Sequence, residues 1–216
     1  MNLENLYKIR FKENDAKNGI WKVLCKNFFQ KFIDEQSTVV DISAGYCEFI
    51  NNIKAKKKIA FDLNPETKNT ADKDVEVFTE SCEKITEFVD KNSVDVVFVS
   101  NFFEHLDRKE QIIDILEKTY KILKTGGKVL ILQPNIMLVK EAYWHFIDHK
   151  LPLTDLSIVE AGEMAGFKVR KKISRFLPYT TKSKIPQCAW MVRLYLLCRP
   201  LSSIIMGKQS FIVLEK

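Results

Sequence analysis

Residues 39–49 read Val39-Val40-Asp41-Ile42-Ser43-Ala44-Gly45-Tyr46-Cys47-Glu48-Phe49. Thr38 to Ile42 is a short apolar run, the composition of a buried strand. Ser43-Ala44-Gly45 ends it in small residues suited to a turn, and Glu48 to Ile53 resumes as a short helix. Strand, turn and helix in that order open an α/β sheet.

The alternation continues outward. Upstream, Ala16 to Ile33 carries Ile20, Val23, Leu24, Phe28 and Phe32 at helical spacing. Downstream, Lys58 to Asp62, Val75 to Phe78 and Ser93 to Ser100 read as strands two to four, with a helical turn over Ile85 to Val89. Lys109 to Leu123 is a helix whose Ile112, Ile113, Leu116, Tyr120 and Leu123 face inward. Lys128 to Gln133 is the fifth strand, stopped by Pro134. Leu156 to Ala165 is a helix closed at Gly166. Phe167 to Ile173 and Ser210 to Leu214 are the last strands, separated by a long insertion. Strands that alternate with helices predict a mainly parallel sheet covered on both faces.

Composition bounds the rest. With 216 residues, 46% hydrophobic and 29% charged, the chain holds enough apolar material for one sizeable core. That content excludes disorder. No stretch of about 18 uncharged apolar residues predicts a membrane span. Met1 to Lys12 has no apolar core of a secretory signal. Cys25, Cys47, Cys82, Cys188 and Cys198 are odd in number, scattered and free of any CxxC pair. A reducing cytoplasm is expected, with neither a disulfide framework nor a metal site. The net charge of +6 hides a split: residues 1–163 hold 23 Lys and Arg against 27 Asp and Glu, whereas residues 164–214 hold 10 Lys and Arg and no acid.

In an open α/β sheet, ligands bind beyond the carboxyl ends of the strands. Here those ends supply Asp41 to Phe49, then Asp62-Leu63-Asn64, Glu80-Ser81-Cys82-Glu83, and Ser100 to Leu106. Asp62, at the end of strand two, suits the two hydroxyls of a ribose. The turn is SxGxC rather than GxGxxG, and Asp41 just before it would repel a pyrophosphate. A ligand with an ammonium and no phosphate fits better, and S-adenosylmethionine is one.

These stretches resemble the class I S-adenosylmethionine-dependent methyltransferases over almost the whole chain. Val39 to Phe49 is similar to the family's first motif, and Asp62 to its ribose-holding acid. Asp95 to Leu106, Asp-Val-Val-Phe-Val-Ser-Asn-Phe-Phe-Glu-His-Leu, is similar to the fourth-strand motif. Leu123 to Lys128 resembles the turn before strand five. The resemblance implies an α/β fold, a Rossmann-like doubly wound seven-stranded sheet with an antiparallel last strand, Ser210 to Leu214. It implies one domain over 1–216: a helical entry segment 1–37, a cofactor-binding half 38–133, and an acceptor-side half 134–216 with a basic insertion 174–209. Phe146 to Thr154 and Phe176 to Ser183 look like a bacterial subgroup associated with surface-polysaccharide and antibiotic-sugar pathways. The chain departs from the pattern at Ser43 and Cys47, where the family has Gly, and at Thr125, where it has Pro.

The implied cofactor contacts are Asp41, Ser43, Ala44, Gly45, Asp62, Leu63, Cys82, Glu83, Asn101 and Phe102, with Arg10 and Lys17 near the cofactor carboxylate. Histidine titrates near neutrality, so His149 and His105 are the candidate bases for a hydroxyl acceptor. Trp144, His145, Asp148, Tyr179 and Lys182 are candidates for the acceptor site. For each of these residues a purely structural role stands beside the functional one.

The basic quarter leaves three readings open: a pocket for an anionic small-molecule or lipid-linked acceptor, a segment from Cys188 to Met206 lying on an anionic membrane surface, or a solvated face. Nucleic acid is the less favoured partner, since the body is acidic and no RNA-binding module is present. Two functions follow. The first is a methyltransferase moving a methyl group to a sugar-like or nucleotide-sugar-like anionic acceptor, with O-methylation favoured. The second is a binding or scaffold protein that kept the fold while Ser43 and Cys47 weakened catalysis.

Overall fold

A computed structural model describes residues 14–179, 188–199 and 201–216. The chain runs α1 (Asn14–Asn27), β1 (Thr38–Ile42), β2 (Lys57–Phe61), α2 (Thr67–Thr70), β3 (Val75–Phe78), α3 (Ile85–Phe88), β4 (Val94–Ser100), α4 (Lys109–Ile122), β5 (Leu123–Pro134), α5 (Ile136–Val139), α6 (Asp155–Met164), β6 (Lys168–Leu177), α7 (Ala189–Leu197), α8 (Leu201–Met206) and β7 (Gln209–Glu215), with short 3-10 turns between. Seven strands form one sheet in the order β3-β2-β1-β4-β5-β7-β6. β1 to β5 are parallel, with Val40 level with Ile59 on one side and Val97 on the other. β7 runs antiparallel between β5 and β6, with Ile131 level with Ile212. This is the doubly wound class expected, antiparallel last strand included.

The order reverses between β1 and β4, which opens a crevice beyond their carboxyl ends. Apolar side chains fill both faces. On one, Val40, Ile42, Val97, Ile131 and Leu214 pack against Ile85 of α3, Ile112 and Leu116 of α4, and Ile158 of α6. On the other, Phe98 and Phe211 meet Phe28, Phe29, Phe49 and Phe176 in an aromatic nest, with Phe49 stacked on Phe98 at 3.6 Å. Each buried Phe contributes about 1.5–3 kcal/mol.

Several elements depart from the sequence expectation for physical reasons. The helix expected over 16–33 ends at Asn27, and Phe29–Phe32 is a 3-10 turn. Phe28 and Phe29 are both buried. Past the break, both rings enter the nest, edge to face at 5.3 Å. On α4, Ile115, Thr119 and Ile122 are buried beside Ile112 and Leu116, whereas Ile113 and Tyr120 are only partly covered. β5 begins at Leu123, and the Gly126-Gly127 turn is taken up as an irregularity where its pairing with β4 shifts between Val94 and Val96. β6 continues to Leu177, and the expected insertion holds α7 and α8.

β6 is an edge strand carrying Lys168, Arg170, Lys171, Lys172 and Arg175. Arg170 pairs with Glu215, Lys172 with Asp155 at 3.4 Å, and Lys171 lies over the Phe32 ring. Half of the basic quarter is therefore an edge whose charges discourage a further strand from adding. No helix among the described residues is long and apolar enough to cross a membrane.

Candidate active site

The turn after β1 is held in a backbone that glycine adopts freely. Ser43, Gly45 and Cys47 have φ of 58°, 56° and 62°. Ser43 and Cys47 carry side chains in that conformation, and each costs about 1–2 kcal/mol of left-handed strain. The turn is tied down at several points. The Ala44 N–H donates to the Phe61 carbonyl (3.1 Å), the Cys47 N–H to the Ala44 carbonyl (2.8 Å), and the Thr67 hydroxyl to the Gly45 carbonyl (2.7 Å).

Two buried carboxyls face this turn. Asp62 accepts the Gly45 N–H on Oδ2 (2.7 Å) and the Asn64 N–H on Oδ1 (2.8 Å), so one residue fixes both the turn and the chain leaving β2. Each of its oxygens keeps a second lone pair for a ligand. Asp41 is 2% exposed, and its Oδ2 has no hydrogen-bond partner among the described residues. Burial first, then the charges of Asp62 and Glu48, raise the Asp41 carboxyl well above the ordinary range. Burial likewise raises Asp62. A buried carboxylate oxygen without a partner, in a field of like charge, fits a ligand bearing ammonium and sulfonium charges and would repel a pyrophosphate. Leu63, 57% exposed, follows Asp62 at the rim.

Further along the strand ends, Cys82 is buried, which pushes its thiol up to about 12. It is therefore no nucleophile. Glu83 is exposed; its N–H donates to the Ser81 hydroxyl and its carboxylate accepts from the Gln111 amide (3.0 Å). Asn101 is exposed with φ of 49°, its N–H donating to the Leu132 carbonyl. Phe102 is half-buried against Phe103.

Past β4 the structure gathers the histidines. The Glu104 carbonyl accepts the N–H groups of Lys150 (2.8 Å) and Leu151 (3.0 Å), drawing residues 148–151 over the strand end. His105 Nδ1 lies 3.1 Å from the Asp148 carbonyl and 3.2 Å from Asp148 Oδ2. The His105 and His149 rings meet edge to face, 5.1 Å apart. Phe146 stacks on His149 at 5.1 Å, and Tyr143 closes the other side at 4.7 Å. Tyr179 reaches this group through Phe146, at 5.8 Å. Trp144 and His145 are exposed on the turn before it, with Trp144 edge-on to Tyr143. Lys17 lies in the first turn of α1; Arg10 and Lys182 lie outside the described residues.

Sequence reasoning passed over Glu104. Its side chain is 1% exposed, accepts from Gln133 Nε2 (3.0 Å), and is raised by burial against the opposing pull of His105. The signal was local: an acid directly before His105 at the end of an apolar strand.

Comparison with known proteins agrees with this geometry. The family described as "Methyltransferase domain" matches residues 23–131. A SAM-dependent methyltransferase from Archaeoglobus fulgidus has the same fold over 99% of each chain, with 18% identity and a TM-score of 0.70. A Thermotoga maritima structure, described as a SAM-dependent methyltransferase and possible histamine N-methyltransferase, matches 98% of this chain and 95% of its own at 16% identity and a TM-score of 0.69. No curated protein matches the sequence.

Proposed function

Since the chain belongs to the methyltransferase-domain family and is an S-adenosylmethionine-dependent methyltransferase, we propose that it methylates a hydroxyl of a small, anionic, sugar-like acceptor. The observation that carries this reading is the meeting of two chemistries at neighbouring strand ends. Uncompensated carboxyls lie beyond β1 and β2, and a histidine pair lies beyond β4. Asp41, Gly45 and Asp62 would hold the cofactor, with Leu63, Cys82, Glu83, Asn101 and Phe102 as further contacts. When bound, the cofactor supplies an electrophilic methyl group on a sulfonium. His149 or His105 takes the hydroxyl proton. Asp148 orients His105 through Nδ1, and Phe146 and Tyr143 keep the His149 ring in place.

Charge supports the anionic acceptor: the ten cations of residues 164–214 face no acid in that segment. Half of that charge lies on the β6 edge, which leaves Arg193, Arg199 and Lys208 among the described cations outside it. The resemblance of residues 146–154 and 176–183 to the polysaccharide-pathway subgroup points the same way. A lipid-linked acceptor fits the exposed apolar side chains of α7 and α8: Trp190, Leu194, Leu197, Leu201, Ile204 and Ile205. The Asn135 N–H donates to the Lys208 carbonyl and the Lys208 N–H to the Leu177 carbonyl, so the end of α8 sits beside the carboxyl end of β5. An anionic bilayer touching that face would deliver the acceptor to the crevice.

Calorimetric titration with S-adenosylmethionine tests the core of the reading; saturable heat is expected, and Asp62→Ala should abolish it. Unchanged affinity in that variant refutes the ribose role. The strained Ser43 and Cys47 backbone is what favours the second reading, a binding protein of this fold, and absence of heat and of thermal shift at about millimolar cofactor would sink the enzyme reading. Failure to co-sediment with anionic vesicles at low salt would remove the membrane contact.

A further inference from the structure

We propose that Glu104, His105 and His149 form a binding site for one divalent transition-metal ion of the zinc class. The scattered cysteines argue against a thiolate zinc site, but the fold assembles another donor set from residues 104, 105 and 149. Their donor atoms all lie within 4.8 Å of one another. Glu104 Oε1 stands 3.9 Å from His105 Nε2 and 4.0 Å from His149 Nε2. Those separations are too long for hydrogen bonds. They are close to the edges of a coordination polyhedron: bonds of about 2.0–2.1 Å in a tetrahedron place ligand atoms about 3.4 Å apart. Side-chain rotation that shortens the two Glu104 separations by roughly half an ångström, and brings the two imidazole donors, no more than 4.8 Å apart, to the same length, would close the set.

The groups behind these atoms are arranged as ligands require. Gln133 Nε2 donates to Glu104 Oε2, which leaves Oε1 to point at the imidazoles. His105 Nδ1 is engaged by the carbonyl and carboxylate of Asp148, the outer contact that fixes a tautomer with a bare Nε2. Among the described residues no Lys or Arg pairs with the buried Glu104, so a cation there supplies its counter-charge. Two imidazoles and one carboxylate leave a coordination position open, the arrangement of a catalytic rather than a structural site.

The site deepens the methyl-transfer reading: an ion there would lower the pKa of an acceptor hydroxyl, and His105 and His149 would serve as its ligands in place of the proton-accepting role given above. That consequence rests on the reading above, whereas ion binding does not. The test therefore uses the full chain without cofactor. Protein stripped with a chelator is titrated with Co²⁺, followed by visible absorption, and with Zn²⁺, followed by calorimetry. One ion per chain is expected, with a ligand-field band that identifies nitrogen and oxygen donors. Glu104→Gln, His105→Asn and His149→Asn should each weaken binding about 10-fold or more, whereas His145→Asn, the remaining histidine, should leave it unchanged. Circular dichroism checks that each variant folds. Should the buried Glu104→Gln fail, His105→Asn, at a side chain 27% exposed, decides alone. No saturable binding at about 100 μM free ion, or binding that survives loss of His105, overturns the proposal. Cofactor heat measured in chelator reports the methyltransferase reading separately, so either can fail without the other.

Discussion

Asp41→Asn should make the cofactor-free protein more stable while weakening its hold on S-adenosylmethionine. The native carboxyl is buried, has one oxygen without a partner, and shares its surroundings with Asp62 and Glu48. An unsatisfied buried group of this kind costs about 1–3 kcal/mol, and the neutral amide offers the neighbouring acids a donor instead. For a chain of this size, about 2 kcal/mol raises the melting temperature by roughly 4–8 °C. The sign with pH follows from linkage. A carboxyl raised on folding stabilises the folded state fully below its ordinary pKa and loses that contribution as pH climbs through the raised value. The wild type without cofactor should therefore melt higher as pH falls from about 8 to about 5.5, and the variant should show a flatter slope. Thermal scans across buffers measure both, and titration of the variant should show cofactor affinity lower by about 10-fold, or 1.4 kcal/mol. A variant that melts below the wild type near neutral pH, or that keeps the full slope, would refute the view of Asp41 as a strained ligand-binding group.

Other parts of the molecule are open to equally direct tests. A methyl group at Gly162 would meet Leu214 Cδ1 at 2.6 Å, so Gly162→Ala should cost about 1–3 kcal/mol in denaturant unfolding, and adding Leu214→Val should return part of it. Lys58, buried in β2, pairs at 2.7 Å with the exposed Asp74; Asp74→Ala should destabilise by about 1–3 kcal/mol, more than Lys58→Met, which leaves only a solvated acid behind. A result in the reverse order would show that the pair is not what stabilises that edge. Cys25, Cys47 and Cys82 are buried, the thiols of Cys47 and Cys82 pushed up to about 12, whereas Cys188 and Cys198 are accessible. An aromatic disulfide reagent should react rapidly with two thiols of the native protein and with all five only in denaturant; a third fast thiol would contradict the packing.

The residues legible in the sequence were those whose meaning is local. The β1 turn, Asp62 and the strand-four motif each carry their role within a dozen residues. Their order along the chain fixes where they stand in a doubly wound sheet. Glu104 was not legible as a member of a cluster, because its partners His149 and Gln133 arrive from other segments, and only the tether to Lys150 and Leu151 brings His149 in. The break after Asn27 hid for a related reason: helical periodicity scores Phe28 and Phe29 separately, while the core demands both. Charge misled most. A count of cations along residues 164–214 cannot distinguish a binding pocket from a strand at the edge of a sheet, and β6 is the latter. In the sequence Ser43 and Cys47 stand out only as side chains where a resemblance implies Gly; the structure places their cost in the backbone angles.

The position of β7 bears on how the molecule comes into being. It is the last strand in chain order, yet it lies between β5 and β6. During synthesis β6 therefore waits for its partner through the 38 residues that follow Leu177, as far as Glu215, roughly 2–8 s at ordinary rates of elongation. Over that interval β5 presents the unpaired apolar edge Val129 to Leu132. The cations of β6 then act on time rather than on stability: they keep the waiting strand dissolved and separate from its counterparts in neighbouring nascent chains until β7 joins the two halves of the sheet.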